Sequence, residues 1–399
     1  MNGYFAAVND SAGFSTTVIR LLFITSGLRT GGAERMLVRL VSALDQARFH
    51  CSVLSLTGGG PAGEASMGKG VHVYMVRFDR YGVACIPELR RIVRAVSPDL
   101  IQGWMYYGNI MAVLAASLMQ RRPPVAWGIR HGLPDLSKER LRTRLALRLS
   151  ARLSTRVAAA VYASTDGIGQ HRAVGFRDAN PVVISNGYDL DYFRPRPDAG
   201  RRVRRALGLG DQALVVGHVA RFNAAKNHAG FLRAAAQVAC AVPECSFVLA
   251  GPGVEASNSA LTALITGLGL QDRVRLLGPR TDIPELMSSF DVFCLSSRSE
   301  AFPNVIAEAS ACALPSVATD VGDVRAILGA SGSIIPPDDE QQLAAALIRV
   351  LRLSGPEREA DGSGAQAVIR ERFSLARAVE QYSELYSSLA KYSAGVGMK

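Results

Sequence analysis

Short runs of β-branched and aliphatic residues alternate along this chain with longer stretches whose apolar positions recur every three or four residues, a pattern that predicts strands separated by helices. In the first half the runs are Val18–Ile24, Cys51–Leu56, Val71–Val76, Asp99–Trp104, Pro124–Ile129 and Ala158–Ser164. A second series comprises Ala213–Ala220, Ser246–Gly251, Arg273–Gly278, Asp291–Ser296, Pro315–Thr319 and Gly332–Pro337. The stretch between them, Val182–Gly200, has the Gly, Pro and Asp content of a linker. Strand and helix repeated in this way build parallel sheets covered on both faces. The expected fold is therefore α/β, with two Rossmann-like doubly wound domains facing a central cleft, residues 1–190 and 191–375. Ligands of such sheets bind beyond the carboxyl ends of the strands.

One helical pattern stands apart in charge. In Ser137–Val157, Leu141, Leu145, Leu149 and Leu153 recur every four residues, and Lys138, Arg140, Arg142, Arg144, Arg148, Arg152 and Arg156 fill much of the remainder. This is a basic amphipathic helix whose leucine stripe must meet something apolar. Two readings are open: an ordinary domain helix with a solvated arginine face, or a helix lying on anionic lipid headgroups.

The charge balance sharpens the choice. The first 198 residues hold 25 Lys and Arg against 14 Asp and Glu, whereas the rest hold 20 of each, so the whole +11 lies in the first half. That half is expected to meet an anionic partner: a membrane surface, nucleic acid or an acidic substrate. No known RNA- or DNA-binding module accompanies it, which argues against nucleic acid. The six cysteines are scattered, with no CxxC pair and no histidine at zinc-ligand spacing, as suits buried thiols in a reducing cytosol. The longest apolar run, Ile110–Met119, is half of what spans a bilayer, and no signal-peptide pattern opens the chain. The chain thus reads as neither secreted nor transmembrane.

Candidate chemistry lies at strand ends. Gly31 and Gly32 precede an amphipathic helix starting near Ala33, so backbone amides and a helix N-terminus can approach an anion there; a plain strand-to-helix turn is the alternative. Arg221 and Lys226 follow a strand at the cleft edge of the second half. Beyond the next cleft strand stand Glu300 and Glu308, seven residues between them, flanking Pro303. Pro303 suits the first turn of a helix, on which Val305, Ala309 and Cys312 share a face bordered by Glu308. A carboxylate beside a buried stripe needs hydrogen-bond donors. A ribose diol would supply two; a structural Arg298 or Arg325 is the other partner in view, with Glu300 then a surface residue.

The run Leu276–Leu328, with its two glutamates, resembles the donor-binding signature of the retaining glycosyltransferases of family 4, and "GLRTGGAER", "ARFNAAKN" and "VISNGYDLDYF" are similar to that family's other landmarks in the same order. The resemblance implies a GT-B fold with an acceptor-binding first domain, a sugar-nucleotide-binding second one, and a last helix (376–395) crossing back onto the first. It places Glu308 on the ribose hydroxyls of a nucleoside-diphosphate sugar, and Glu300 with the Phe302, Asn304 and Val305 backbone on the donor sugar and diphosphate. Arg221 and Lys226 match the basic pair that steadies the leaving diphosphate, work that a metal does elsewhere; no metal or other cofactor is implied. His131 matches a histidine facing the donor sugar. Arg280, in Gly278–Thr281, falls where the family's pocket selects base and sugar. Ala301 and Ala313 depart from the pattern, standing where the family often has glycine.

The resemblance further implies retaining, metal-independent transfer to a saccharide acceptor. Together with the basic first half it suggests a lipid-linked or oligosaccharide acceptor in surface polysaccharide or glycolipid synthesis, and a cytoplasmic enzyme peripheral on the inner face of the membrane. A hydrolysing sugar-nucleotide epimerase and a catalytically silent sugar-nucleotide-binding subunit share the architecture and remain the alternatives.

Overall fold

A computed structural model of the chain describes residues 18–28, 32–58, 67–68, 70–133, 141–210, 213–300 and 302–396. Two parallel sheets carry it. The first has the order β3-β2-β1-β4-β5-β6-β7, with β1 Ile19–Thr25, β2 Phe49–Ser55, β3 His72–Met75, β4 Leu100–Trp104, β5 Val125–Ile129, β6 Ala159–Tyr162 and β7 Pro181–Val183. The second has the order β10-β9-β8-β11-β12-β13, with β8 Leu214–Val219, β9 Cys245–Ala250, β10 Val274–Leu276, β11 Val292–Leu295, β12 Ser316–Thr319 and β13 Ser333–Ile335. Every residue of β4 and β5 is buried, as expected of central parallel strands with helices on both faces. In each sheet the order reverses once, at β1/β4 and at β8/β11. There the following loops diverge and leave a crevice.

The stretch expected to be a linker is packed. It begins with β7 and ends in the helix Pro197–Ala206, and between them Ile184, Asn186, Tyr188 and Phe193 are buried. Its two glycines are buried, whereas Asp191, Pro195, Pro197 and Asp198 lie at the surface. The chain returns toward the first domain at residues 373–375, and the two crossings pair: Tyr188 N donates to Phe373 O at 2.9 Å, and Leu375 N to Tyr188 O at 2.8 Å. Gly187 is required by this approach, since a Cβ there would lie 2.8 Å from Leu375 Cα. The last helix, Leu375–Val396, then sets Tyr382 and Tyr386 into the core cluster that holds Leu21 and Phe23 of β1.

Three expectations are corrected in detail. The basic helix spans Leu141–Leu153 and turns three of the four stripe leucines outward: Leu141, Leu145 and Leu149 are 68%, 53% and 43% exposed, and only Leu153 packs, half-buried, against the core. Its inner face is Ala146, Leu147 and Ser150, because the neighbouring helix Met105–Ser117 presents Ala112, Ala115 and Ala116 to the same core and leaves room for small residues. Residues 137–140 of the expected helix lie outside the described residues. The helix after Glu300 is Asn304–Ala311, with Pro303 as its N-cap rather than in its first turn. Its buried surface is wider than the expected stripe: Ala309 and Cys312 are buried and Val305 packs half-buried against the same core, but Ile306, Ala307, Glu308, Ser310 and Ala311 are buried as well. Ala313, just past that helix, adopts φ 54°, a left-handed conformation that explains glycine at this position.

Candidate functional site

At the β8/β11 reversal two loops are laced together. After β8, Asn223 caps a short 3₁₀ turn, Ala224–Lys226, by accepting a hydrogen bond from Lys226 N at 3.1 Å. After β11, Arg298 N donates to Ala225 O at 2.7 Å and Arg298 Nη1 to Ala224 O at 2.9 Å. Beneath them the Ser296 hydroxyl lies 3.1 Å from Lys226 O and 3.2 Å from Asn227 O, and 3.1 Å from Nε2 of the buried His218. Burial holds the His218 ring well below the usual imidazole range, so it is neutral. This backbone lacing aims two side chains at each other: Lys226 Nζ and Glu300 Oε1 form an ion pair, and Ser297 Oγ donates to the same Oε1 at 2.8 Å. Glu300 is not a free surface carboxylate.

Glu308 lies one turn into the helix Asn304–Ala311 and is only 5% exposed. Among the described residues it has no hydrogen bond or ion pair. The two arginines proposed as its structural partners are engaged elsewhere, Arg298 with Asp338 and Arg325 with Asp320. Burial pushes the Glu308 carboxyl above the ordinary carboxylate range, and Arg35 and Arg39 of the helix Gly32–Ala43 oppose that shift across the cleft. A desolvated carboxylate left without donors is the chemical signature of a group awaiting a ligand.

The remaining candidates divide. Gly32 opens its helix against the second domain: a Cβ there would lie 2.7 Å from Asn304 Nδ2. Gly31 and Ala301 lie outside the described residues. Arg221 is exposed and makes no ion pair among the described residues. Arg280 is tied within its own loop, Nε to Asp282 Oδ1 at 2.8 Å. Phe302 packs its ring into the second-domain core, stacked on Tyr188 and edge-on to Phe373. Val305 packs against the same core. His131 follows β5 on the first domain, edge-on to Tyr106, whose hydroxyl lies 2.8 Å from Nε2 of the buried His171.

Sequence reading missed several groups at this cleft. Arg39 covers the rings of Tyr188 and Phe193 at 5.9 and 5.1 Å, and Asn186 and Tyr188 both donate to Asn304. The buried Arg130, beside His131, has no carboxylate partner among the described residues; its Nη1 donates to Ile184 O at 2.6 Å, its Nη2 bonds Tyr382, and burial lowers it to about 10. Asp323 faces Asp166 from the other domain, and burial first, then that charge, push it up to about 6. "SNGYD" offered the only local signal, a turn composition silent about its partners. Among the described residues no group of three or more His, Cys, Asp or Glu is placed to hold a metal ion.

Two family descriptions match this chain: Glycosyltransferase Family 4 over residues 30–192 and Glycosyl transferases group 1 over residues 213–352. It is similar to D-inositol 3-phosphate glycosyltransferase of Mycobacterium marinum, at 32% identity over 54% of this chain and 45% of that protein. It is also similar to the Escherichia coli UDP-Gal:alpha-D-GlcNAc-diphosphoundecaprenol alpha-1,3-galactosyltransferase, at 33% identity over 42% of this chain and 44% of that one. The chain thus spans under half the length of these curated relatives. Among solved structures, HepE of Anabaena in complex with UDP and glucose superposes with a TM-score of 0.79 at 25% identity, over 93% of this chain and 100% of that one. With both sheets, their order and both family descriptions in agreement, the chain belongs to glycosyltransferase family 4 and has the GT-B fold.

Proposed function

We propose that this protein transfers a glycosyl group from a nucleoside-diphosphate sugar to a saccharide acceptor, with retention at the anomeric carbon and without a metal ion. The observation that carries this reading is Glu308: buried, without a partner among the described residues, and on the same helical segment that begins beside the Lys226–Glu300 pair. Ribose hydroxyls would donate to its carboxylate. An ammonium has three donors, and Glu300 takes one, so two remain for diphosphate oxygens. The exposed Arg221 adds its guanidinium to the same charge as the leaving group departs. UDP bound to HepE supports a uridine nucleotide as the first donor to try.

Retaining glycosidases place a nucleophilic carboxylate about 5 Å from the acid. Here Glu300 is already engaged by Lys226 and Ser297, which favours transfer on one face of the sugar. The acceptor oxygen bonds the anomeric carbon as the bond to the diphosphate breaks, and the acceptor proton passes to a leaving phosphate oxygen. We assign His131, which follows β5, to the first-domain side of this space.

Nucleoside diphosphate release from UDP-, GDP- and ADP-sugars, with and without saccharide acceptors and in excess EDTA, tests the reading. Release is expected only with acceptor and is expected to persist in EDTA. Loss restored by Mg²⁺ or Mn²⁺ overturns the metal-free chemistry. Donor-only release with an epimerised sugar indicates an epimerase, and binding without release a silent subunit.

The exposed leucines bear on the acceptor. Leu141, Leu145 and Leu149 face solvent amid Arg142, Arg148 and Arg152, and among the described residues no helix is long and apolar enough to cross a membrane. This arrangement supports peripheral binding to an anionic cytoplasmic leaflet and a lipid-linked acceptor, as in the name of the E. coli relative. Each arginine near such a surface contributes about 1 kcal/mol. Wild-type protein is expected to float with anionic but not neutral liposomes at low salt, and Leu145→Ser with Leu149→Ser to stay behind with an unchanged Tm, since neither side chain is buried. Equal flotation on both vesicles would indicate a soluble acceptor.

A further inference from the structure

Asn304 is the first residue of the helix that carries Glu308, yet its side chain serves the connection between the domains. Its Oδ1 accepts from Asn186 Nδ2 at 2.9 Å and from the Tyr188 hydroxyl at 2.6 Å. Both donors sit on the first crossing. Those two bonds orient the amide, and Nδ2 is left against Gly32 of the first domain, 2.7 Å from where a Cβ would stand. Asn186 is itself held from the first domain, its Oδ1 at 3.5 Å from Arg130 Nη1, the group that also bonds Ile184 O. Tyr188 needs no hydroxyl to stay in place, because its ring stacks on Phe302 and its backbone pairs with the return crossing. The hydroxyl and the Asn186 amide therefore converge on one acceptor whose location, not the core's cohesion, is what they determine.

We propose that Asn186 and Tyr188 are positioning residues that latch Asn304 to the hinge, and so set the distance at which Glu300 and Glu308 stand from His131 across the cleft. This rests on the donor-site reading of the helix Asn304–Ala311. Opening the cleft must break at least one of these bonds or the Gly32 contact. A latched cleft keeps the donor helix in register with the acceptor side without touching the donor itself.

The test uses the full chain and a double-mutant cycle. Cys240 is exposed while the other five cysteines are buried, so dyes on Cys240 and on an introduced Arg90→Cys report the interdomain distance by single-molecule energy transfer. Tyr188→Phe, Asn186→Ala and Asn304→Ala are each expected to broaden the distance distribution toward the open side. Tyr188→Phe is expected to add nothing in the Asn304→Ala background. With UDP-glucose as the donor probe, kcat is expected to fall about tenfold, the equivalent of one hydrogen bond, with KM within about twofold. An unchanged distance distribution in all three variants overturns the latch. So does an equal Tyr188→Phe effect with and without the Asn304 side chain, which would mark a merely structural hydroxyl. Should Asn186→Ala fail to fold, Tyr188→Phe keeps the ring and carries the same test. A widened cleft in a protein that turns over no sugar nucleotide would sustain the latch and remove the transferase reading.

Discussion

Lys226→Ala is expected to lower glycosyl transfer by about 30- to 1000-fold, the equivalent of roughly 2 to 4 kcal/mol, while the second domain stays folded. Two losses combine. The ammonium that would meet the leaving diphosphate disappears, and Glu300, whose side chain is only 11% exposed, keeps its charge with Ser297 as its remaining partner. The loop itself should hold its shape, because Asn223 caps the turn and Arg298 and Ser296 bind its carbonyls through groups that the substitution leaves intact. Steady-state kcat/KM beside a thermal melt separates the two effects. Unchanged turnover would remove Lys226 from the leaving-group site. Adding Glu300→Gln to Lys226→Ala is expected to recover Tm without recovering activity, since it relieves the stranded charge and restores no cation.

Glu308→Gln is expected to move stability and donor binding in opposite directions. The wild-type carboxyl is desolvated, has no hydrogen-bond donor among the described residues, and has its affinity for a proton raised by burial. A group whose folded pKa lies above its unfolded value makes the folded state bind more protons. Its contribution is least unfavourable below the unfolded carboxylate pKa of about 4.3, and stability is lost as pH rises from there through the raised folded value. The amide carries no such penalty. The gain in Tm over wild type should therefore be small at pH 4 and larger at pH 7 and above. In the same protein the stabilisation of wild type by UDP should vanish, because an amide offers the ribose hydroxyls one acceptor oxygen in place of a charged pair. A Tm gain that is constant with pH would show that Glu308 is already satisfied in the free protein. UDP stabilisation equal to wild type would displace the ribose from this residue. An opposed pair of effects of this kind marks a site that costs the free protein stability and recovers it on binding.

The neighbouring histidines show how far local pattern carries. His131, His171, His218 and His228 are all scattered single residues in the sequence, and nothing in their spacing separates them. In the fold, His218 braces the loop of Lys226 through Ser296, and His171 bonds Tyr106 beneath His131. Only the last of these relations is near the first-domain wall of the cleft. Burial lowers His171 and His228 to about 4, so both stay neutral at working pH.

Strand and helix alternation was legible in the chain because a strand covered on both faces is apolar at nearly every position, as β5 is throughout and β4 is except at Gln102, and that demand is local. So were the two glutamates and the two cations, since their spacing is carried within short segments. The tertiary structure alone decided their partners. Lys226 and Glu300 lie 74 residues apart and meet because β8 and β11 are neighbours, a fact of strand order that no local pattern records. The leucines of Leu141–Leu153 recur as a buried stripe would, but the helix Met105–Ser117 fills the inner side with alanines, and a periodicity cannot say which face its neighbour leaves room for. Ile184, Asn186, Gly187, Tyr188 and Phe193 of the turn-rich segment 184–196 are buried for the same reason: composition records how a backbone bends, while burial depends on what another part of the chain brings against it, here Phe373, Leu375 and Asn304. Segments of the sequence determined the elements and the chemistry available; contacts between distant segments determined which groups were paired, which were left without a partner, and so where a ligand has something to satisfy.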